Sequence, residues 1–356
     1  MYIKNLKLKN FRNYEEVNID FSPEKNIFYG FNGQGKTNII EALYYMQSGK
    51  SYRCTKEKET IKFGCDFAKI EAEFIKDERK NNVQFFLSEK KSIKLNGIAI
   101  DRLSELIGNI NLVIFTPDHL NLIKEGPSIR RNFLDSFISQ LKPMYFKNLI
   151  NYYKVLKQRN NILKSNKKNM LDTIIVWDEK LAELSINICE MRESAINKIN
   201  NCINDIDKIS KTENIRLEYN CGIKGDYKNK ENIINQLKSG LERDLEYRMT
   251  MTGPHRDDFE IFMDDKNIKK FGSQGQQRSC VLKLKLSECE IIKEKTGEMP
   301  PILLDDILSE LDENRRKGFI ENIKNTQVII TCTDKEFLKD MDGFYFRVNE
   351  GKVYKE

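Results

Sequence analysis

Histidine is scarce in this 356-residue chain: only His119 and His255 occur, too few for a His-rich metal centre. The eight cysteines (Cys54, Cys65, Cys189, Cys202, Cys221, Cys280, Cys289 and Cys332) include no Cys-x-x-Cys pair. That scatter reads as reduced thiols in a cytoplasm and excludes a disulfide frame or a zinc ribbon. No apolar run approaches the roughly 18 residues of a membrane span. Met1 to Leu8 mixes lysines among isolated apolar residues where a signal sequence would carry an apolar core. The expectation is a cytoplasmic protein with no membrane partner. Internal repeats and low-complexity linkers are missing as well. A large excess of one charge is missing too: 60 Lys plus Arg face 54 Asp plus Glu, leaving +6.

With 39% apolar and 32% charged residues, the chain can bury one large core or two lobes. The small net charge is unevenly placed. Residues 1–125 hold 20 basic and 17 acidic side chains, residues 126–252 hold 22 and 16, and residues 253–356 hold 18 and 21. The outer segments therefore sum to 38 against 38, and the middle carries the whole excess. Arg130 to Lys168 alone has ten basic residues against one acid, Asp135, a candidate polyanion surface or a solvated helix face.

Patterning divides the chain the same way. Tyr2 to Phe11 and Val17 to Phe21 nearly alternate, Ile27 to Tyr29 is a short apolar run before a glycine turn, and Ile39 to Gln47 takes helical spacing. Ile70 to Phe74, Val83 to Leu87, Ile93 to Leu95 and Leu112 to Phe115 read as strands. The middle third reads as helices at Pro143 to Lys164, Trp177 to Ile209 and Ile233 to Tyr247. On the first of these, Tyr145, Leu149, Tyr152, Leu156 and Leu163 share one face, while Lys147, Lys154, Lys157 and Lys164 fall within about a 100° arc on another. The end returns to α/β, with helices at Val281 to Ile292 and Asn314 to Ile323 and strands at Ile302 to Leu304 and Val328 to Thr331. The prediction is an α/β head from residues 1–125 and 253–356, interrupted by a helical basic lobe over residues 126–252, with no long coiled coil.

Three motifs carry chemistry. Gly30-Phe31-Asn32-Gly33-Gln34-Gly35-Lys36-Thr37 fits GxxxxGK[ST] between an expected strand and an expected helix. Glycines let successive N–H groups curl round phosphate oxygens at a helix N-terminus, Lys36 reaches the β and γ phosphates, and the Thr37 hydroxyl can ligate Mg²⁺. Pro300 to Asp306 is an apolar strand ending in paired carboxylates, where Asp305 can hold Mg²⁺ through water and Asp306 can orient or deprotonate water. Phe271-Gly272-Ser273-Gln274-Gly275-Gln276-Gln277-Arg278 opens the helix before that strand, a second potential anion site.

This order, followed by Ser309-Glu310-Leu311-Asp312, resembles the ATP-binding-cassette ATPases. The resemblance implies a cassette-type ATPase head, nucleotide contacts from Gly30 through Thr37, and contact of Ser273, Gly275 and Gln276 with the γ-phosphate of ATP held by a second subunit. It assigns catalysis to Lys36, Asp305, Asp306 and Ser273, and metal to Thr37 and Asp305. Within that superfamily Leu8-Lys9-Asn10-Phe11-Arg12-Asn13-Tyr14 is similar to the N-terminal motif of the RecF family, in which Arg12 would approach the nucleotide. Val113 to Leu120, Gly126 to Asp135, Gln158-Arg159-Asn160 with Leu163-Lys164, Trp177-Asp178 with Leu181-Ala182, and Gly253 to Asp258 resemble further blocks of that family, from end to end of the chain.

The resemblance implies an ATP-dependent DNA-binding protein of recombinational repair, replication-fork maintenance and the SOS response. ATP and Mg²⁺ would drive a homodimer that clamps double-stranded or gapped DNA, with a weak DNA-dependent ATPase releasing it and RecO- and RecR-type partners helping to load recombinase. Lys147, Lys154, Lys157 and Lys164 are the expected DNA contacts. Two departures from the cassette pattern point to slow hydrolysis: Asp306 stands where transporters carry Glu, and Thr331-Cys332-Thr333-Asp334 lacks the switch histidine. No lobe-linking glutamine appears near Thr116 to Asp118 either. A transporter subunit would share the nucleotide motifs but leaves the basic run unexplained. A condensin-like organiser would need hundreds of coiled-coil residues between Thr37 and Ser273.

Outside these motifs the expectations are structural. His255 reads as a hydrogen-bonded turn residue, Arg130 and Arg131 as packing and lobe contacts with Asp135 as a candidate partner on the same helix, and Tyr145, Tyr152 and Tyr153 as core.

Overall fold

A computed structural model describes residues 1–165, 170–210, 214–311, 313–323, 326–334 and 341–356. The chain divides into two compact units, Met1–His119 with Lys285–Glu356, and Leu120–Leu284. From the N-terminus come β1 (Tyr2–Phe11), β2 (Tyr14–Asp20), β3 (Lys25–Tyr29), helix α1 (Lys36–Ser48), β4 (Ala68–Lys76), β5 (Arg79–Leu87), β6 (Ser92–Leu95), β7 (Ile98–Ile100) and β8 (Val113–Phe115). The helical unit follows with α2 (Asn121–Lys124), α3 (Pro127–Leu141), α4 (Pro143–Leu163), α5 (Met170–Ser210), β9 (Ile215–Asn220), α6 (Lys230–Ser239), α7 (Leu241–Tyr247), β10 (Asp258–Met263), β11 (Lys266–Asn267) and α8 (Ile268–Phe271). Helix α9 (Gln274–Thr296) starts in this unit and ends in the first. The chain closes with β12 (Ile302–Asp305), α10 (Glu313–Asn322), β13 (Val328–Cys332), β14 (Phe344–Asn349) and β15 (Lys352–Lys355).

The first unit contains two six-stranded sheets, ordered β2-β1-β4-β5-β6-β7 and β15-β14-β3-β13-β12-β8. The first is antiparallel, and β4 and β5 bury alternate residues (Ala68, Ile70, Ala72, Phe74; Val83, Phe85, Leu87), as a sheet with one covered face requires. In the second, β14, β3, β13, β12 and β8 run parallel and only the edge strand β15 is antiparallel. Every residue of β12, β13 and β8 is buried, the signature of parallel strands covered on both faces. Ile39, Ile40, Leu43 and Met46 of α1 join Leu6, Leu8, Ile70 and Phe85 of one sheet and Leu303, Ile329 and Phe346 of the other in one core.

The N-terminal hairpin β1–β2 forms one edge of the antiparallel sheet, with β1 between β2 and β4 and a bulge between Ile3 and Asn5. One detail differs from expectation. The single helix expected over Ile233 to Tyr247 is two, broken at Gly240, which serves both as the C-cap of α6 and the N-cap of α7.

In the second unit α4 and α5 bury one stripe each, Tyr145, Leu149, Tyr152, Leu156 and Leu163 on one and Ile174, Leu181, Ile188, Ala195, Ile199 and Ile203 on the other. The strands order β11-β10-β9. Because Asp258 to Met263 of β10 pair residue by residue with Asn220 to Ile215 of β9, residues beyond 252 fold with the lobe. The units meet in sequence at residues 119/120 and 284/285, not at 125/126 and 252/253.

Two fully buried arginines organise this unit. Arg192 donates to Asp135 Oδ1 at 2.8 Å, Asp257 Oδ2 at 2.7 Å and the Pro254 carbonyl at 2.6 Å. Arg159 donates to Asp178 at 2.6 Å, Asp244 at 2.5 Å and Thr250 at 2.9 Å. Asp135 is thus taken by Arg192, and Arg130 pairs with Asp258 by two bonds of 2.6 and 2.9 Å, not with its helix neighbour. Arg131 donates to the Asp257 carbonyl. Tyr145 and Tyr152 are core, but Tyr153 sits about 100° further round the helix and is 43% exposed.

His255 is held on both ring nitrogens. Nε2 lies 2.8 Å from the Thr250 carbonyl, which can only accept, so Nδ1 accepts from the Tyr152 hydroxyl at 2.6 Å. Burial is the main cause that pushes its pKa down to about 4. The unfolded chain takes up a proton below roughly pH 6.5 that folded His255 refuses, so its contribution is lost as pH falls from about 6.5 towards 4. His255→Gln is expected to remove up to about 3 kcal/mol of this acid-side loss, seen as a flatter urea-midpoint profile between those pH values; parallel profiles would refute it.

Candidate nucleotide site

The loop from Gly30 to Gly35 joins β3 to α1, and both flanking turns of the first unit grip it. Asn13 Nδ2 donates to the Gln34 carbonyl at 2.8 Å and the Tyr14 hydroxyl to the Gly35 carbonyl at 3.1 Å, both from the β1–β2 turn. From the β14–β15 turn the Gly351 N–H donates to the Gln34 carbonyl and the Glu350 N–H to Gln34 Oε1. Glycine is required at two points. A Cβ on Gly30 (φ 147°) would stand 2.4 Å from the Val348 carbonyl oxygen, and one on Gly35 (φ 118°) would strike Asn13 and the Tyr14 hydroxyl. Phe31, Asn32 and Gly33 are exposed at the rim, while Lys36 is buried with Nζ 2.7 and 3.0 Å from the Gly30 and Phe31 carbonyls.

The parallel register brings the distant acids to this loop. Thr331 of β13 is opposite both Phe28 of β3 and Asp305 of β12, so three strands end in one row beside Thr37. The Thr37 hydroxyl donates to Asp305 Oδ1 at 2.9 Å, across 268 residues of chain. The Thr331 hydroxyl donates to the same oxygen at 2.9 Å and accepts from the Asp306 N–H at 3.0 Å. The Tyr52 hydroxyl completes the set, donating to Asp305 Oδ2 at 2.9 Å. Burial and then the Asp305 charge push the Tyr52 phenol far above its ordinary value, so it stays a donor.

Asp306 differs from its neighbour. Its backbone is left-handed (φ 52°) and its buried Oδ1 has no hydrogen-bond partner among the described residues. Burial raises its pKa, Lys36 lowers it and Asp305 raises it again. A strained carboxyl with one unpaired oxygen beside a lysine is equipped to accept a proton. Cys332 follows Thr331 at the strand end, its thiol pushed up to about 12, chiefly by burial.

Arg12 is engaged with α1. Its guanidinium makes a two-pronged bond to buried Glu41 of α1 at 2.6 and 2.9 Å, and also donates to the Glu59 carbonyl and Cys54 Sγ. Arg53 pairs with the same carboxylate and donates to Asn38, so Arg12 bears on the helix behind the loop. Sequence reasoning missed Tyr52 and Glu41 and gave no role to Asn13, Tyr14 and Thr331, although the first two lie in the N-terminal motif and the third ends an expected strand.

Ser273 is exposed at the N-cap of α9. Its Oγ accepts from the Gln276 N–H at 3.2 Å while Gln276 Oε1 accepts from the Ser273 N–H at 2.9 Å, a reciprocal capping box. Gly275 lies inside the first turn. Lys147, Lys154, Lys157 and Lys164 are all exposed along α4. Lys167, Lys168 and Asp312 lie outside the described residues. Among the described residues no helix is long and apolar enough to cross a membrane.

A family profile described as an AAA domain matches residues 5–249. The DNA replication and repair protein RecF of Acetivibrio thermocellus is 44% identical over 368 residues, covering 99% of this chain and 100% of that protein. A solved structure of the recombination mediator protein RecF with ATPrS, of the RecFOR pathway, superposes with a TM-score of 0.92 at 35% identity, covering 99% of this chain and 98% of that one. A second, of RecF with ATP in the same pathway, gives 0.91 at 35% identity over 100% and 97%.

Tyr52→Phe should destabilise the nucleotide-free protein by about 1–3 kcal/mol, because it leaves a buried carboxylate oxygen short of a donor. Urea denaturation reads this, and an unchanged midpoint would show that the bond contributes nothing.

Proposed function

The chain belongs to the RecF family of DNA replication and repair proteins, and from that premise we propose that it is an ATP-gated DNA clamp whose head is assembled from both ends of the sequence. The observation that carries this reading is the convergence of Lys36, Thr37, Asp305 and Asp306 on one strand-end row. Hard oxygen ligands beside a phosphate loop suit Mg²⁺ with ATP, and Thr37 and Asp305 would hold the metal. When bound, Mg²⁺ neutralises phosphate charge during phosphoryl transfer.

The residues divide the work. N–H groups from Gly30 to Gly35 and the N-terminus of α1 cradle the phosphates, and Lys36 supplies the positive charge. Asp306 takes a proton from the attacking water through its unpaired Oδ1. Its carboxyl is one methylene shorter than the Glu of transporters and no switch histidine stands near, which supports slow hydrolysis. Thr331 couples the two acids by bonding to Asp305 and to the Asp306 backbone.

In the clamp Ser273, with Gly275 and Gln276, meets the γ-phosphate held by a second copy. The exposed capping box supports this, since it presents the serine and a helix N-terminus together. Dimerisation brings two basic lobes to the same DNA, and the four α4 lysines bind backbone phosphates without reading sequence. Arg12 acts indirectly, fixing α1 through Glu41. RecO- and RecR-type proteins and double-stranded or gapped DNA are the partners that family membership favours.

Lys36→Ala should abolish ATP binding and ATP-dependent DNA retention, whereas Ser273→Arg should keep ATP binding on the monomer yet block the ATP-dependent dimer in light scattering. Unaltered DNA retention by Lys36→Ala, or an intact dimer with Ser273→Arg, would overturn the gating. Replacing Lys147, Lys154, Lys157 and Lys164 by Glu should weaken DNA binding and flatten its log–log salt slope by about 1 for each DNA phosphate that the lysines no longer neutralise; an unchanged slope would clear that face of the role.

A further inference from the structure

Among the described residues one group of thiol and carboxylate side chains gathers in the helical unit: Cys189, Cys221 and Asp257. Cys189 is fully buried in α5, one turn before Arg192, and Cys221 is partly exposed just after β9. Their sulfurs are 3.6 Å apart, and Cys189 Sγ is 3.9 Å from Asp257 Oδ2.

The donor set resembles a metal site, but its charge does not. Asp257 already accepts from the Gly222 N–H at 2.7 Å, from Arg192 at 2.7 Å and from the Tyr219 hydroxyl. A divalent cation there would face the buried guanidinium of Arg192 across a single carboxylate. What remains is a pair of neighbouring thiols, one reachable from solvent and one not. Closing 3.6 Å to the roughly 2 Å of a disulfide asks for about 1.5 Å of movement, and Cys221 lies outside helix and strand, where the backbone can yield.

We propose that Cys189 and Cys221 form a peroxide-responsive dithiol, in which Cys221 is oxidised first and Cys189 then closes a disulfide. The Cys221 thiolate attacks the peroxide O–O bond, giving Cys221 sulfenic acid and, after protonation of the leaving oxygen, an alcohol or water. The Cys189 sulfur then attacks the sulfenic sulfur, its proton leaves with the hydroxyl as water, and the two thiols have together given two electrons to the peroxide. The contact between the two thiols lowers the pKa of Cys221 against the opposing effect of burial, while the same contact and burial raise that of Cys189. The partly exposed Cys221 is therefore the better thiolate and the buried Cys189 resolves. The link would join positions 32 apart, pinning the middle of α5 to the end of β9 beside the Arg192–Asp257 pair.

The test treats the reduced full-length protein with a small excess of hydrogen peroxide, counts thiols after denaturation and maps peptides by mass spectrometry. The expected result is a fall from eight free thiols to six, with one cross-linked peptide joining Cys189 to Cys221 and full recovery in dithiothreitol. Cys221→Ser should keep all seven of its remaining thiols, and Cys189→Ser should stop at a sulfenic acid on Cys221 that dimedone traps. Peptide mapping of the unsubstituted chain decides the matter even if a variant fails to fold. Eight surviving thiols, a cross-link between other cysteines, or stoichiometric zinc in the purified protein that Cys221→Ser releases would overturn the proposal.

Discussion

The head depends on one carboxylate held by three hydroxyls. Asp305 accepts from Thr37, Thr331 and Tyr52, and those donors come from the helix after the phosphate loop, the strand beside β12 and the segment after α1. A buried anion is tolerated only when its oxygens are satisfied, so this side chain obliges β3, β13 and β12 to end at one level. The parallel register of that sheet and the position of the phosphate loop meet the same requirement. Because the loop is also held by the β1–β2 and β14–β15 turns, both ends of the chain must be in place before the site exists.

The helical unit solves the same problem with the opposite charge. Arg159 and Arg192 are fully buried, and each is held by two aspartates drawn from distant stretches of sequence. Such pairs add little net stability over apolar packing, but losing one partner strands a buried charge, so they tie a geometry more firmly than they deepen an energy well. Residues of several blocks that resemble the family's, Asp135 of Gly126 to Asp135, Arg159 of Gln158-Arg159-Asn160, Asp178 of Trp177-Asp178 and Asp257 of Gly253 to Asp258, meet in these two networks. Their role in the fold is to hold α3, α4, α5 and β10 in register. His255 belongs with them, neutral and bonded on both sides, and its scarcity in the sequence carries no catalytic meaning.

Much of the site could be read beforehand because its chemistry is local. The phosphate loop needs its glycines, lysine and threonine within eight consecutive positions, and the acid strand needs its carboxylates directly after a buried run, so Gly30 to Thr37 and Asp305-Asp306 announce themselves. The alternating strands β4 and β5 and the buried stripe of α4 were legible for the same reason, since side-chain period follows from backbone geometry. The roles of Tyr52, Thr331 and Glu41 were not, because each matters through a partner on another element. Arg12 shows the converse: its motif was visible, but its contact is decided by a buried glutamate one helical turn beyond the loop.

By itself the sequence determined the phosphate loop, the paired acids, the helix start at Ser273, the elements' periodicities and the surplus of positive charge between residues 126 and 252. Each depends on residues close in the chain. Only the tertiary structure decided that residues 253–284 fold with the lobe, that Asp135 answers Arg192 and leaves Arg130 to Asp258, and that Thr331 bridges the two acids. Strand pairing and the burial of charge are long-range constraints: a carboxylate chooses its partner by which arginine the packed core leaves without one, and that choice exists only once the elements have met.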